Sequence, residues 1–143
     1  MATTPYELIG GERTVAQLVT RFYELMDNLP AAQGIRAMHA PDLGDAPEKL
    51  RLFLTGWLGG PNVYVERYGP PFLRARHLPF AIGSSERDQW MLCMRQALDE
   101  CIADRAVRDK LYEALWGLAN HMRNRADPGS SAGTTANNSA EPV

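Results

Sequence analysis

The chain has 143 residues, with 15 Lys and Arg against 17 Asp and Glu and a formal net charge of −2. That length suits one domain with a substantial core, and the near-neutral, interspersed charge leaves no basic face for nucleic acid. No apolar run approaches the ~20 residues that span a bilayer, and Met1-Ala2-Thr3-Thr4-Pro5-Tyr6-Glu7 lacks the basic and apolar stretches of a signal peptide, so a cytoplasmic location is expected.

Helix start and stop signals follow one another along the chain. Thr4-Pro5-Tyr6-Glu7 combines a capping Thr, Pro in the first turn and Glu three residues after the cap, and Gly10-Gly11 stops that short helix. Thr14-Val15-Ala16-Gln17 has the form of a second capping box. Val15, Leu18, Val19, Phe22 and Met26 follow it on one helical face until Leu29-Pro30. Asp45-Ala46-Pro47-Glu48 starts a third helix whose apolar side is Leu50, Phe53, Leu54, Trp57 and Leu58, and Gly59-Gly60-Pro61 ends it.

Residues 62–83 carry Pro70, Pro71 and Pro79 and read mostly as loop, with one helical turn at about 72–77. Ser84 or Ser85 then caps a long helix with Trp90, Met94, Ala97, Leu98, Cys101 and Ile102 on one face. Asp104 caps the last, with Val107, Leu111, Leu115, Leu118, Ala119 and Met122 inward. No segment alternates as a strand does, so the class is all-α. Residues 127–143 are polar, small and aperiodic and read as a disordered tail, which leaves a domain of residues 1–126.

Cys93 and Cys101 lie eight apart in one helix, about 12 Å along its axis and too far to bridge; both read as small buried thiols. The three histidines show no metal-site pairing, and H-E-x-x-H, C-x-x-C, C-x-x-C-H and the phosphate-binding glycine motifs are all absent. Zinc chemistry, covalently attached haem and nucleotide cofactors are therefore disfavoured. Taken singly, Trp90 reads as core, Tyr23 beside Phe22 as packing, and His121 as a polar-face residue.

His77 has a more telling setting. Arg74-Ala75-Arg76-His77-Leu78-Pro79-Phe80 places an imidazole at the end of a short turn, among apolar residues and two arginines, within a long connection of the kind that usually carries function. Haem needs an imidazole for its iron, apolar contacts for its macrocycle and cations for its propionates. A His at a helix end can also donate its other ring N–H to a backbone carbonyl, which fixes the ligating tautomer.

Several pieces recur in order: Gly10-Gly11, Arg21-Phe22-Tyr23, Leu50-Arg51-Leu52-Phe53-Leu54, Trp57-Leu58-Gly59-Gly60-Pro61, Leu73 to Phe80, and Glu86-Arg87-Asp88-Gln89-Trp90. Together, over residues 6–122, they resemble the truncated haemoglobins, specifically group II. The resemblance implies a two-over-two helical sandwich holding one non-covalent haem b per chain. It makes His77 the proximal iron ligand and Tyr23 and Trp90 the distal donors. Leu50, Phe53, Leu54, Leu78, Phe80 and Ile82 would wall the haem, and Lys49, Tyr64 and Arg76 would reach its propionates. His39 falls near a further distal position if a one-residue gap is admitted; otherwise Met38 takes it.

Three functions follow. The resemblance implies a binder of the diatomic gases O2, CO and NO at ferrous iron, acting in O2 storage, transfer or sensing. Ala46 stands where many globins have a distal His and cannot donate, so the Tyr23 hydroxyl and Trp90 indole N–H would hold a bound gas, and slow release would suit chemistry or sensing better than delivery. The alternative is an enzyme, performing NO dioxygenation or peroxidase-like turnover with His39 as acid–base group; the chain shows no flavin or nicotinamide motif, so a reductase would be separate. The third is a haem-free helical interaction module in which His77 is incidental.

Overall fold

Residues 3–126 are described by the computed structural model, and among them every regular element is helical. The stretch 127–143, read above as a tail, lies outside the described residues. The elements are α1 (Pro5–Ile9), α2 (Glu12–Asn28), a 3₁₀ turn (Pro30–Ala32), α3 (Gln33–Arg36), α4 (Ala46–Trp57), α5 (Val63–Tyr68), α6 (Leu73–His77), α7 (Ser84–Cys101) and α8 (Arg105–His121). Among the described residues no helix is long and apolar enough to cross a membrane.

Local chemistry explains most of the boundaries. Thr4 Oγ1 accepts from Glu7 N at 3.1 Å while Glu7 Oε1 accepts from Thr4 N at 3.3 Å, the reciprocal box that opens α1. Asp104 Oδ1 accepts from Ala106 N and Val107 N at 3.0 and 3.2 Å and opens α8. Pro47 sits in the first turn of α4, where its missing N–H costs nothing.

Two expected caps move. Thr14 does not cap α2, which begins at Glu12 behind Gly11. Gly10 has φ 112°, and a Cβ there would lie 2.5 Å from Thr14 Oγ1, so the glycine makes room for Thr14 to turn inward and be buried. At α7 the cap is Gly83 rather than a serine, its N–H donating to Glu86 Oε1 at 2.8 Å. The reading of 62–83 as mostly loop is also corrected. Pro61 and Pro70 bracket α5 instead of interrupting it, and Gly69 at φ 80° ends it.

α2 packs against both α4 and α7, and α7 against α8, giving two layers of two long helices. Val15, Leu18, Phe22 and Met26 of α2 meet Cys93, Met94, Ala97 and Leu98 of α7 in a core that excludes water almost completely. Each such large side chain contributes about 1.5–3 kcal/mol on burial. From α4 only Leu52, Leu54 and Thr55 are buried, while Leu50 and Phe53 remain partly open although they share its apolar side. These two side chains face the cavity described next.

Candidate functional site

A cavity of about 540 Å³ opens between α4 on one side and α6, α7 and α8 on the other. Its size falls within the roughly 300–1,000 Å³ of pockets that take cofactor-sized molecules. Leu50, Phe53 and Leu54 reach it from α4, Leu115, Leu118 and Ala119 from α8, and Phe80 and Ile82 from the segment before α7. The wall is mostly apolar, with a few polar groups at defined points.

His77 is the last residue of α6 and lines the cavity. Its Nδ1 lies 2.6 Å from the carbonyl of Leu73, one helical turn earlier. A carbonyl only accepts, so Nδ1 carries the proton and Nε2 keeps a free lone pair. The sequence expectation of a backbone-fixed imidazole at a helix end therefore has its geometric counterpart.

Tyr23, His39 and Trp90 form a second group. Phe22 stands between two of them, with ring centroids 4.9 Å from both Tyr23 and Trp90, and His39 meets Tyr23 edge-on at 5.8 Å. All three polar rings line the cavity, and so does Met38, so both residues weighed for that corner belong to the wall. His39 Nδ1 donates to Ile35 O at 3.0 Å, which leaves its Nε2 as an acceptor. Burial pushes the Tyr23 phenol well above the ordinary tyrosine range, so it stays a neutral O–H donor. No hydrogen bond among the described residues engages the Tyr23 hydroxyl or the Trp90 N–H, and neither group is sealed from the cavity.

The expected cations are at the cavity with unequal freedom. Lys49 is half exposed, 3.6 Å from Asp45 and 5.4 Å above the Tyr68 ring. Arg76 donates through Nε to Pro71 O at 2.6 Å and through Nη2 to Tyr68 O at 3.3 Å, which engages much of its guanidinium in holding the proline-rich loop. Its guanidinium carbon lies 5.9 Å from the centre of the Tyr64 ring, itself buried. Arg87 adds a lining cation absent from the expectation. It donates to Asn120 Oδ1 at 2.7 Å and lies over Trp116 at 4.4 Å.

One expected wall residue is not on the wall. Leu78 follows the last residue of α6, turned about 100° from His77 around the helix axis, and is 44 % exposed. The two cysteines are likewise elsewhere, both free. Burial raises the Cys93 thiol to about 11 and Cys101 also rises, through burial first and Glu100 second.

Two positioning groups escaped the sequence reading. Gln89 Oε1 accepts from Ile35 N at 2.8 Å and its Nε2 donates to Ser85 Oγ, which joins α3 to α7 one residue before Trp90. Gly34 permits this approach, since a Cβ there would meet Gln89 Oε1 at 2.8 Å. Asn124, beyond α8, bonds to the segment between His77 and α7. The sequence signal for Gln89 was its place beside Trp90; for Asn124 there was none beyond a polar residue after the last apolar position.

Residues 4–124 match the model of the bacterial-like globin family. The chain is 40% identical over 123 residues to a group 2 truncated haemoglobin of Bacillus subtilis, covering 86% of this chain and 90% of that one. Among solved structures, the group II two-on-two haemoglobin of the plant pathogen Agrobacterium tumefaciens superposes with a TM-score of 0.85 at 48% identity, over 88% of this chain and 97% of that one. The cold-adapted truncated haemoglobin of the Antarctic bacterium Pseudoalteromonas haloplanktis TAC125 gives 0.84 at 40% identity, over 86% and 99%.

Proposed function

The chain belongs to the bacterial-like globins as a group II truncated haemoglobin with the two-over-two fold, and from that premise we propose that it binds O2, CO and NO at the ferrous iron of one haem b, with His77 as the iron's protein ligand. The observation that carries the assignment is the 2.6 Å bond from His77 Nδ1 to Leu73 O, which orients the ring and leaves Nε2 free at the cavity wall. When bound, haem supplies an iron with one coordination position open to a diatomic gas.

The residues present fit such a group. Leu50, Phe53, Phe80 and Ile82 offer an apolar bed for a macrocycle. Lys49, Arg76 and Tyr64 offer charge and a hydroxyl for carboxylates, with Arg76 acting chiefly through the loop it ties. Leu78 is left out of the bed.

Tyr23 and Trp90 serve in this reading as the donors to a gas held in the cavity, since both line it from one aromatic cluster and no hydrogen bond among the described residues engages the hydroxyl or the indole N–H. Each bond to a partly charged acceptor in a dry site contributes about 1.5–3 kcal/mol, a tenfold to hundredfold slower escape. Ala46, also on the wall, contributes space and no donor.

A second reading is a haem enzyme, for NO dioxygenation or peroxidase-like turnover with a separate reductase. The contact of His39 with Tyr23, and the free Nε2 of His39, favour it by placing a proton acceptor beside a donor. NO consumption by the oxygenated protein, sustained by a reductase, would make this the leading reading.

Absorption spectra of the ferric, dithionite-reduced and CO-treated protein test the proposal. The expected result is a Soret band that shifts sharply with CO, and a His77→Ala variant that folds with little haem. Full haem retention by that variant with an unchanged spectrum would overturn the ligand assignment.

A further inference from the structure

α6 is a weak element on its own terms. It has five residues, none of them buried, and follows Phe72, which is in the left-handed region at φ 43° and 67 % exposed. So short a helix has no intrinsic stability in water, and its one large apolar side chain, Leu73, is only half-buried at the cavity wall. Polar bonds to other parts of the chain must fix where its last residue, His77, stands.

Those bonds come mainly from the end of α8. Arg74 Nη1 donates to the carbonyls of His121 and Arg123 at 2.7 and 2.6 Å, so α6 is tied to the last turn of α8. Asn124 completes the attachment in the other direction. Its Oδ1 accepts from Ile82 N at 2.9 Å, and its Nδ2 donates to Phe80 O at 2.8 Å and His77 O at 3.3 Å. Its backbone N–H adds a bond to Ile82 O at 2.7 Å. The amide thus uses its acceptor and both donor hydrogens on a segment whose Phe80 and Ile82 line the cavity.

We infer that Asn124 is a positioning residue for His77: its amide, with Arg74, sets the orientation in which the imidazole meets iron and slows haem escape from the His77 side. The inference rests on the reading of His77 as the iron's ligand. It goes beyond that reading by assigning control of the His77–iron bond to a residue 47 positions later, just beyond the last helix.

The test uses the full-length haem-loaded protein and two substitutions. Asn124→Leu removes the amide while keeping its bulk; Asn124→Asp keeps an acceptor for Ile82 N and removes both donated bonds. The readouts are the iron–histidine stretching band of the ferrous gas-free protein, by resonance Raman, and the rate of haem transfer to an apo-globin acceptor. Both variants are expected to shift or broaden the band and to lose haem about tenfold faster, the scale of one to two lost hydrogen bonds. Asn124→Asp decides the matter should Asn124→Leu fail to fold. An unchanged band in a folded variant, whatever its haem-loss rate, overturns the inference, because a purely structural amide would not act on the bond. Failure of the underlying reading looks different: His77→Ala would then keep the wild-type band, whereas it abolishes the band if His77 is the ligand.

Discussion

Replacing Trp90 by Phe removes one N–H from the cavity while leaving the rest of the aromatic cluster nearly intact. The Trp90 ring lies 4.9 Å from Phe22 at a tilt of 60°, a contact a phenyl ring can keep, and Phe22 itself is fully buried and so fixed in place. On the proposed role of Trp90, the lost term is therefore chiefly one hydrogen bond to a partly charged gas in a buried site, about 1.5–3 kcal/mol. With that term gone, O2 should dissociate at least tenfold and up to about a hundredfold faster. CO is a much weaker hydrogen-bond acceptor, so its dissociation reports the small change of shape alone and should move far less. Stopped-flow displacement of O2 by excess CO, and of CO by excess NO, gives both rates on the same protein. An unchanged O2 rate, or equal factors for O2 and CO, would refute the reasoning and leave Trp90 a packing residue.

The Tyr23 phenol is expected to titrate well above the ordinary tyrosine range, because burial holds it in the neutral form. Its folded value lies above the unfolded value of 10.0, so its contribution to stability is fully present below about pH 10 and is lost as pH rises beyond that. Near-ultraviolet titration of the native protein and of Tyr23→Phe checks this, and a wild-type curve that exceeds the variant's by one tyrosine titrating near pH 10 would contradict it. Of the two thiols, Cys101 should label first with a disulfide reagent at neutral pH. Cys93, fully buried and raised to about 11, should label only on unfolding, as mass spectrometry of partially labelled protein would show.

Where the chain's own local chemistry decides an outcome, the sequence reveals it. The box at Thr4 and Glu7, the cap at Asp104 and the stop at Leu29-Pro30 are each settled within a few residues, and the structure keeps them. The apolar stripe of α2 needs only helical spacing to be read. The cap at Thr14 failed because a tertiary fact, the space left by Gly10, draws that side chain inward. α5 was missed because flanking prolines resemble interrupting ones until the chain's path is known, and six residues are too few for periodicity to register.

The cavity follows the same division. Leu50 and Phe53 were legible as apolar, but periodicity cannot tell a residue that packs on another helix from one that faces a cavity. The difference comes from how far α8 stands from α4, which neither helix encodes alone. His77 and Trp90 stood out because their residue types and neighbours form a joint pattern; Asn124 is a single polar residue beyond the last apolar position, with no local signature at all. Its significance arises from α6, which is too short and too exposed to place His77 unaided and so depends on partners distant in sequence. A site built on a weak element must draw its precision from outside that element, and here the precision comes from the end of α8.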